Sequence, residues 1–139
     1  MTDLERSREI ARSIFEVGLN AGDVDAIVAL TADDFVDHDI HVDTGGLNGP
    51  EDLRQALIEL REAFPDIHVT VEQTIAEGEW VATRNTWRGT HAGVFNGISA
   101  TGNRLEVSGI VFWRIVDGRI KERRAALDTH ALLTQLGVA

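Results

Sequence analysis

Residues 107–128 read VSGIVFWRIVDGRIKERRAALD, two segments of alternating apolar and polar residues separated by Asp117-Gly118. An Asp-Gly pair between alternating segments predicts a two-residue type I′ turn, because that turn needs positive φ at both central positions. We therefore predict a β-hairpin in which Val116 faces Arg119 across the turn.

Regular pairing from this turn assigns every side chain of the hairpin to one face of the sheet. One face of the first strand is almost wholly apolar: Val107, Gly109, Val111, Trp113 and Ile115. Across from it, with Trp113 facing Glu122 and Val111 facing Arg124, this register places Ile120, Glu122, Arg124, Ala126 and Asp128. We therefore expect Asp128 on the apolar side of the sheet, where a carboxylate needs an explanation.

Asp128 has two interpretations. It can cap a last helix whose first turn is 129–132, because Asp is a preferred N-cap residue. It can also act as a general acid/base, because burial among apolar groups raises the pKa of a carboxyl group toward the range of proton transfer. Arg124 would oppose that rise if it were close, but four residues of extended strand separate the two by about 13 Å.

The composition fits one globular domain over residues 1–139, with 43% hydrophobic and 26% charged residues. No cysteine is present, which excludes disulfides, a thiol nucleophile and a zinc–thiolate site. The chain also has neither tyrosine nor a G-x-G-x-x-G, Walker A or G-x-S-x-G pattern. We therefore expect neither a tyrosine oxyanion donor nor a nucleotide cofactor.

Charge argues against two classes of partner. With 13 basic and 23 acidic residues, the net charge of −10 opposes nonspecific binding to nucleic acid and to anionic membranes. No stretch approaches the roughly 18 apolar residues of a membrane span. The N-terminal residues are polar and acidic, so we predict a cytoplasmic protein without a signal peptide.

The period of the apolar residues changes once along the chain. Helical spacing predicts helices over 4–19, 24–30 and 51–64, with a short strand at 35–38 and a glycine-containing loop at 40–49. From Ile67 a period of two predicts strands over 67–76 and 80–88, then an excursion at 89–103, the hairpin and a helix at 129–136. This order predicts an α+β fold in which helices cover one face of a curved, mainly antiparallel sheet above a cone-shaped pocket.

His38 lies in an acidic segment and has three interpretations. It can be a structural histidine, a proton carrier or hydrogen-bond donor in the pocket, or a metal ligand together with His41. Residues three apart on a strand point to opposite faces, and no H-E-x-x-H pattern is present, so we expect no metal site.

Four further side chains are candidates for substrate binding. Arg84 and Arg124 could hold an enolate or a carboxylate, although a solvated strand arginine is the alternative. His91 begins the excursion, where it lies either at a pocket mouth or on a surface loop. Trp113 fits the core or a dimer interface, and the same ring can form a pocket wall.

Several segments resemble the SnoaL-like polyketide cyclase family, whose cone-shaped fold is shared by nuclear transport factor 2 and ketosteroid isomerase. The resemblance spans nearly the whole chain. It is carried by Phe35-Val36-Asp37-His38-Asp39, Gly49-Pro50-Glu51, Ala63-Phe64-Pro65-Asp66, Arg84, Gly89-Thr90-His91-Ala92-Gly93, Ala100-Thr101-Gly102, Asp117-Gly118-Arg119-Ile120-Lys121-Glu122, Asp128 and Gln135-Leu136-Gly137.

The resemblance implies a cone-shaped, NTF2-like α+β barrel and an intramolecular aldol ring closure that uses neither metal nor cofactor. It implies a small hydrophobic or aromatic polyketide-like substrate, with Asp128 as acid/base, and His38 and His91 match recurrent family positions. On this hypothesis Asp128 removes an α proton from a β-dicarbonyl substrate, and His38 stabilises the enolate.

Other functions stay open at this point. Relatives of the fold include cofactor-independent hydroxylases and isomerases. A third possibility is a binding module for a hydrophobic ligand, because an ion pair with Arg124 would suppress proton transfer by Asp128. We also expect a homodimer or higher homo-oligomer formed through the exposed sheet face, since apolar residues there need cover.

Overall fold

The computed structural model describes residues 2–38 and 48–138. It confirms the predicted α+β class, in which N-terminal helices lie on one face of a curved five-stranded sheet. The elements are α1 (Asp3–Ser13) with a π-helical continuation (Ile14–Asn20), α2 (Val24–Val28), β1 (Thr31–Asp37), α3 (Pro50–Ala63), β2 (His68–Glu77), β3 (Trp80–Thr90), β4 (Arg104–Val116), β5 (Arg119–Leu127) and α4 (Thr129–Gln135).

Capping residues and a proline mark the starts of the first three helices. Thr2 and Glu5 form a capping box at the start of α1. The Asp23 carboxylate accepts a hydrogen bond from the Ala26 amide at 3.2 Å, which begins α2 as predicted. Pro50 is the first residue of α3. The predicted loop at 40–49 lies outside the described residues except for its last two positions.

The strands lie in the order β1-β5-β4-β3-β2. The edge strand β1 runs parallel to β5, and every other neighbouring pair is antiparallel. We call the face that packs against the helices the inner face. There the Phe15 ring meets Trp87 and Trp113 edge-on, with centroid distances of 6.2 and 5.9 Å. No helix among residues 2–38 and 48–138 is long and apolar enough to cross a membrane.

The hairpin turn forms as predicted, but the register beyond it was predicted wrongly. Asp117 and Gly118 have positive φ of 50° and 74°, and Val116 pairs with Arg119. The register then shifts by one residue, so that Trp113 pairs with Arg123 and not with Glu122. The extra residue on β5 is Lys121, which makes this a β-bulge.

This bulge decides which side chains of β5 face the helices. The regular register would have placed Glu122 and Arg124 against the buried residues of β4, two charges in an apolar layer. The observed register presents Arg123, Ala125 and Leu127 to the inner face instead. The expected position of Asp128 on the apolar face is therefore also wrong, because β5 ends at Leu127 and Asp128 begins α4.

Candidate active site

A buried ion pair lies on the inner face where β1 meets β5. The Nη1 atom of Arg123 is 3.2 Å from Oδ1 and 3.1 Å from Oδ2 of Asp37. The two side chains are only 17% and 4% exposed. Asp37 reaches this position because it alternates with the fully buried Phe35 along β1. Such burial needs an opposite charge, which Arg123 supplies.

Trp113 extends this pair across the sheet. It is the β4 partner of Arg123, and the guanidinium carbon of Arg123 lies 5.7 Å from the centroid of the Trp113 ring. We call Asp37, Arg123 and Trp113 the inner row. It combines a carboxylate, a cation and a flat aromatic surface. These are the groups needed to take a proton, to stabilise a developing anion and to hold a planar substrate.

Further polar groups lie deeper on the same face. Thr83 and Asn85 are fully buried, and the Asn85 amide donates to the Thr83 hydroxyl at 3.0 Å. Oδ1 of Asn85 and Nε1 of Trp113 have no hydrogen-bond partner within the described part of the chain. Each buried unpaired group costs about 1–3 kcal/mol, so the inner face departs from a purely structural core.

His38 lies on the opposite, outer face of the sheet. Its Nε2 atom is 2.9 Å from Oε1 of Glu122, and the two side chains are 30% and 21% exposed. The hydrogen bond with His38, followed by the one with Arg114, holds the pKa of the Glu122 carboxyl below its ordinary value. His38 thus has the carboxylate contact of a structural histidine. Its predicted role as a catalytic hydrogen-bond donor stays a prediction, made for a side chain that points away from Asp37.

Arg84 and Arg124 are also on the outer face, and both are exposed. Arg84 pairs with Ile110 of β4, and Arg124 pairs with Phe112 of β4. Both of these apolar partners are exposed. Arg124 lies on the outer face because of the β5 bulge at Lys121. Neither arginine has the pocket position on which its predicted substrate-binding role was based.

His91 is fully buried, so the surface-loop interpretation is wrong. Its Nδ1 atom is 3.0 Å from the Thr101 hydroxyl and accepts a hydrogen bond from the Thr101 amide at 3.3 Å. Its ring lies 5.5 Å from that of Phe64. These contacts fasten the excursion that begins after β3, while a substrate contact for His91 stays a prediction.

Asp128 is exposed and caps α4. Its Oδ1 atom accepts a hydrogen bond from the Ala131 amide at 3.0 Å. The capping interpretation is confirmed, and the acid/base role stays a prediction for a carboxylate on the surface. The metal alternative for His38 needed His41, which lies outside the described residues. Within those residues no group of three or more His, Asp or Glu is arranged to hold a metal ion.

Sequence reasoning missed the pairing of Asp37 with Arg123. One half of the signal was available, because the alternation of Phe35 and Asp37 puts both on one face of a strand. The other half was not, because the partner lies 86 positions away and faces inward only through the bulge.

The amino-acid sequence is similar to a known family and to characterised enzymes. The sequence model of the SnoaL-like polyketide cyclase family matches residues 9–136 of this chain. Aklanonic acid methyl ester cyclase DnrD of Streptomyces peucetius is 35% identical over 92 residues, which cover 66% of this chain and 63% of that protein, less than two thirds of its length. Nogalonic acid methyl ester cyclase of Streptomyces nogalater is 31% identical over 103 residues, 73% of this chain and 72% of that protein.

A solved structure shows the same fold along the full length. AclR, a proposed hydroxylase of Streptomyces galilaeus, superposes with a TM-score of 0.83 at 25% identity, over 99% of each chain. The family match over residues 9–136 and the similarity to nogalonic acid methyl ester cyclase establish that the chain belongs to the SnoaL-like polyketide cyclase family.

Proposed function

We propose that this chain is a polyketide cyclase-type enzyme that closes a ring by intramolecular aldol condensation at the inner row. The observation that carries the proposal is the buried Asp37–Arg123 pair beside Trp113. Family membership supports it, since two relatives are named as cyclases of aklanonic acid methyl ester and nogalonic acid methyl ester. The substrate class is a small, largely aromatic polyketide-like molecule with a β-dicarbonyl group.

The proposed step needs one base and one cation. A carboxylate such as Asp37 is a weak base, which suits the acidic α proton between two carbonyl groups. The Arg123 guanidinium moves from the carboxylate to the enolate oxygen when the substrate binds, which releases Asp37 to take the proton and stabilises the enolate. The enolate carbon then attacks a ketone in the same molecule, and the new alkoxide takes the proton back from Asp37. One C–H bond and the π bond of the attacked ketone break, one C–C bond and one O–H bond form, and the product is an isomer of the substrate.

Asp37 thereby takes the role that the sequence suggested for Asp128. The inner-face positions of β5 are Ile120, Arg123, Ala125 and Leu127, none of them acidic, so the acid on this face comes from β1. The Asp37 carboxylate lies on the helix-covered face beside a cation, whereas the Asp128 carboxylate is at the surface and already accepts a hydrogen bond from the Ala131 amide.

A matched pair of variants tests the assignment. Asp37→Asn and Asp128→Asn are incubated with a panel of aromatic β-keto esters, and products are followed by mass spectrometry. We expect Asp37→Asn to lose about 10²- to 10⁴-fold in turnover and Asp128→Asn to stay within a few-fold of wild type. Circular dichroism checks that both remain folded. Full turnover by Asp37→Asn with loss in Asp128→Asn would return the acid/base role to Asp128.

A second candidate function is cofactor-independent hydroxylation, which the similarity to AclR favours. The same panel is run under air and under argon. A product heavier by one oxygen, formed only in air, would replace the cyclase assignment. Thermal stabilisation by a panel compound without any product would instead favour a binding module.

We also propose that the chain forms a homodimer through the outer sheet face. Three large apolar side chains are exposed there, Ile75, Ile110 and Phe112. Light scattering after size exclusion should show a dimer in the wild type and a monomer for Phe112→Glu. A monomeric wild type would contradict this.

A further inference from the structure

We infer that His38 is a positioning residue, which with Glu122 forms an outer clamp that holds β1 in the register that brings Asp37 to Arg123. The consequence for turnover rests on the proposed function, and the effect on geometry does not. Three observations carry the inference.

First, the end of β1 needs an independent anchor. Within the described residues β1 is the edge strand of the sheet and pairs with β5. Its other side carries an isolated bridge of Val36 to Asn48 and accepts a hydrogen bond from the Gly49 amide at the Phe35 carbonyl, 2.7 Å. Its pairing with β5 shifts register between Thr31 and Val36, so the pairing at Thr31 does not determine the alignment at Asp37. Contacts near Asp37 determine it locally, and among the described residues the contact of His38 with Glu122 is the one made by side chains of β1 and β5 on the outer face at this end.

Second, two ion pairs lie back to back through the sheet at that end. Consecutive residues of a strand point to opposite faces, so Asp37 meets Arg123 inside while His38 meets Glu122 outside. Between them the His38 amide donates to the Arg123 carbonyl at 2.8 Å. A slip of one residue would break all three contacts and bring a different side chain to Arg123.

Third, Glu122 is itself anchored. Nη1 of Arg114 lies 3.1 Å from Glu122, and Nη2 of Arg114 lies 3.0 Å from Glu79 in the β2–β3 turn. The clamp therefore connects β1 through β5 and β4 to the turn between β2 and β3. Its strength comes from charge-assisted hydrogen bonds that are only partly exposed.

A four-variant comparison tests the clamp. His38→Ala removes it, and His38→Gln retains a side-chain N–H that can reach Glu122 without an imidazole. Glu122→Gln weakens it from the other side. Lys121→Ala is the matched control, because Lys121 pairs with Asp34 at 2.8 Å, another outer-face ion pair between the same two strands.

The first readout is independent of activity. The Asp37 carboxyl carbon is followed by NMR of protein labelled with ¹³C-aspartate and assigned with Asp37→Asn, and the Arg123 Nε–H signal reports its position over Trp113. We expect both signals to move in His38→Ala and Glu122→Gln, and to stay at wild-type positions in His38→Gln and Lys121→Ala. Unchanged signals in folded His38→Ala would overturn the inference.

The second readout is turnover with the β-keto ester panel. We expect His38→Ala to lose about 10- to 100-fold in kcat, since a misplacement of about 1 Å can cost that much, and His38→Gln to regain it. Equal loss in both His38 variants with unmoved NMR signals would make His38 a catalytic residue instead. If the wild type turns over no panel compound, the proposed function fails, and the NMR comparison still decides the clamp.

Discussion

Asp37 and Asp128 both lie at the carboxyl end of a strand, Asp37 as the last residue of β1 and Asp128 directly after β5, but they have different roles. Asp37 is 5% exposed, lies on the inner face and is paired with Arg123, whereas Asp128 is exposed and caps α4. The β5 bulge at Lys121 separates the two outcomes, because it turns Arg123 inward to meet Asp37 and moves Asp128 off the apolar face. One inserted residue reassigns a whole face of a strand.

The most direct way to break this comparison is to shift the register after the bulge. An alanine inserted between Glu122 and Arg123 moves every later residue of β5 by one position, which turns Arg123 away from Asp37 and Arg124 toward the helices. Burying unpaired charges costs several kcal/mol each, so we expect the loss of most of the roughly 5–15 kcal/mol that stabilises a domain. Urea unfolding followed by circular dichroism measures this, with Lys121→Ala as control. A wild-type midpoint for the insertion would refute the role of the register.

Removing the cation tests the inner side of the comparison. Arg123→Met leaves the buried Asp37 carboxylate without its guanidinium, and we expect a loss of about 3–5 kcal/mol in unfolding free energy. Arg124→Met changes the neighbouring exposed arginine and should stay within about 0.5 kcal/mol of wild type. Equal effects of the two substitutions in urea would show that the inner ion pair is not special.

Removing the cap tests the outer side. Asp128→Ala should cost about 1 kcal/mol, and Asp128→Ser should retain most of that stability, because serine also caps. Asp23→Ala at the start of α2 is the matched control and should cost a similar amount. Thermal unfolding of the three variants measures the difference. A cost of several kcal/mol for Asp128→Ala alone would point to a role beyond capping.

The smallest effect concerns the pH dependence of stability and the carboxylate on the outer side of β5. The hydrogen bonds with His38 and Arg114 lower the pKa of Glu122 in the folded protein. Glu122 therefore contributes stability above its unfolded pKa of about 4.3, and this contribution is lost as the pH falls through the lower folded pKa. Glu122→Gln should flatten the fall in unfolding free energy below that pH. An unchanged slope would contradict the contribution.

Much of the fold could be predicted because its signals are local. The Asp117-Gly118 turn, the Asp23 cap and the Pro50 helix start each depend on a few adjacent residues. The candidate site could be predicted only in part. Trp113 was assigned to the inner face correctly, whereas Arg124 and Asp128 were displaced by a bulge that leaves no period in the sequence.

The order of helices and strands, the hairpin turn and the family can be predicted from the amino-acid sequence, because they depend on short-range periodicity, turn chemistry and motifs. Which acid lies inside is set by contacts that form on folding. That choice depends on the parallel pairing of β1 with β5, on the extra residue at Lys121 and on the contact of Asp37 with Arg123. Burial of a carboxylate is favourable only opposite a cation, and the chain acquires that cation by folding.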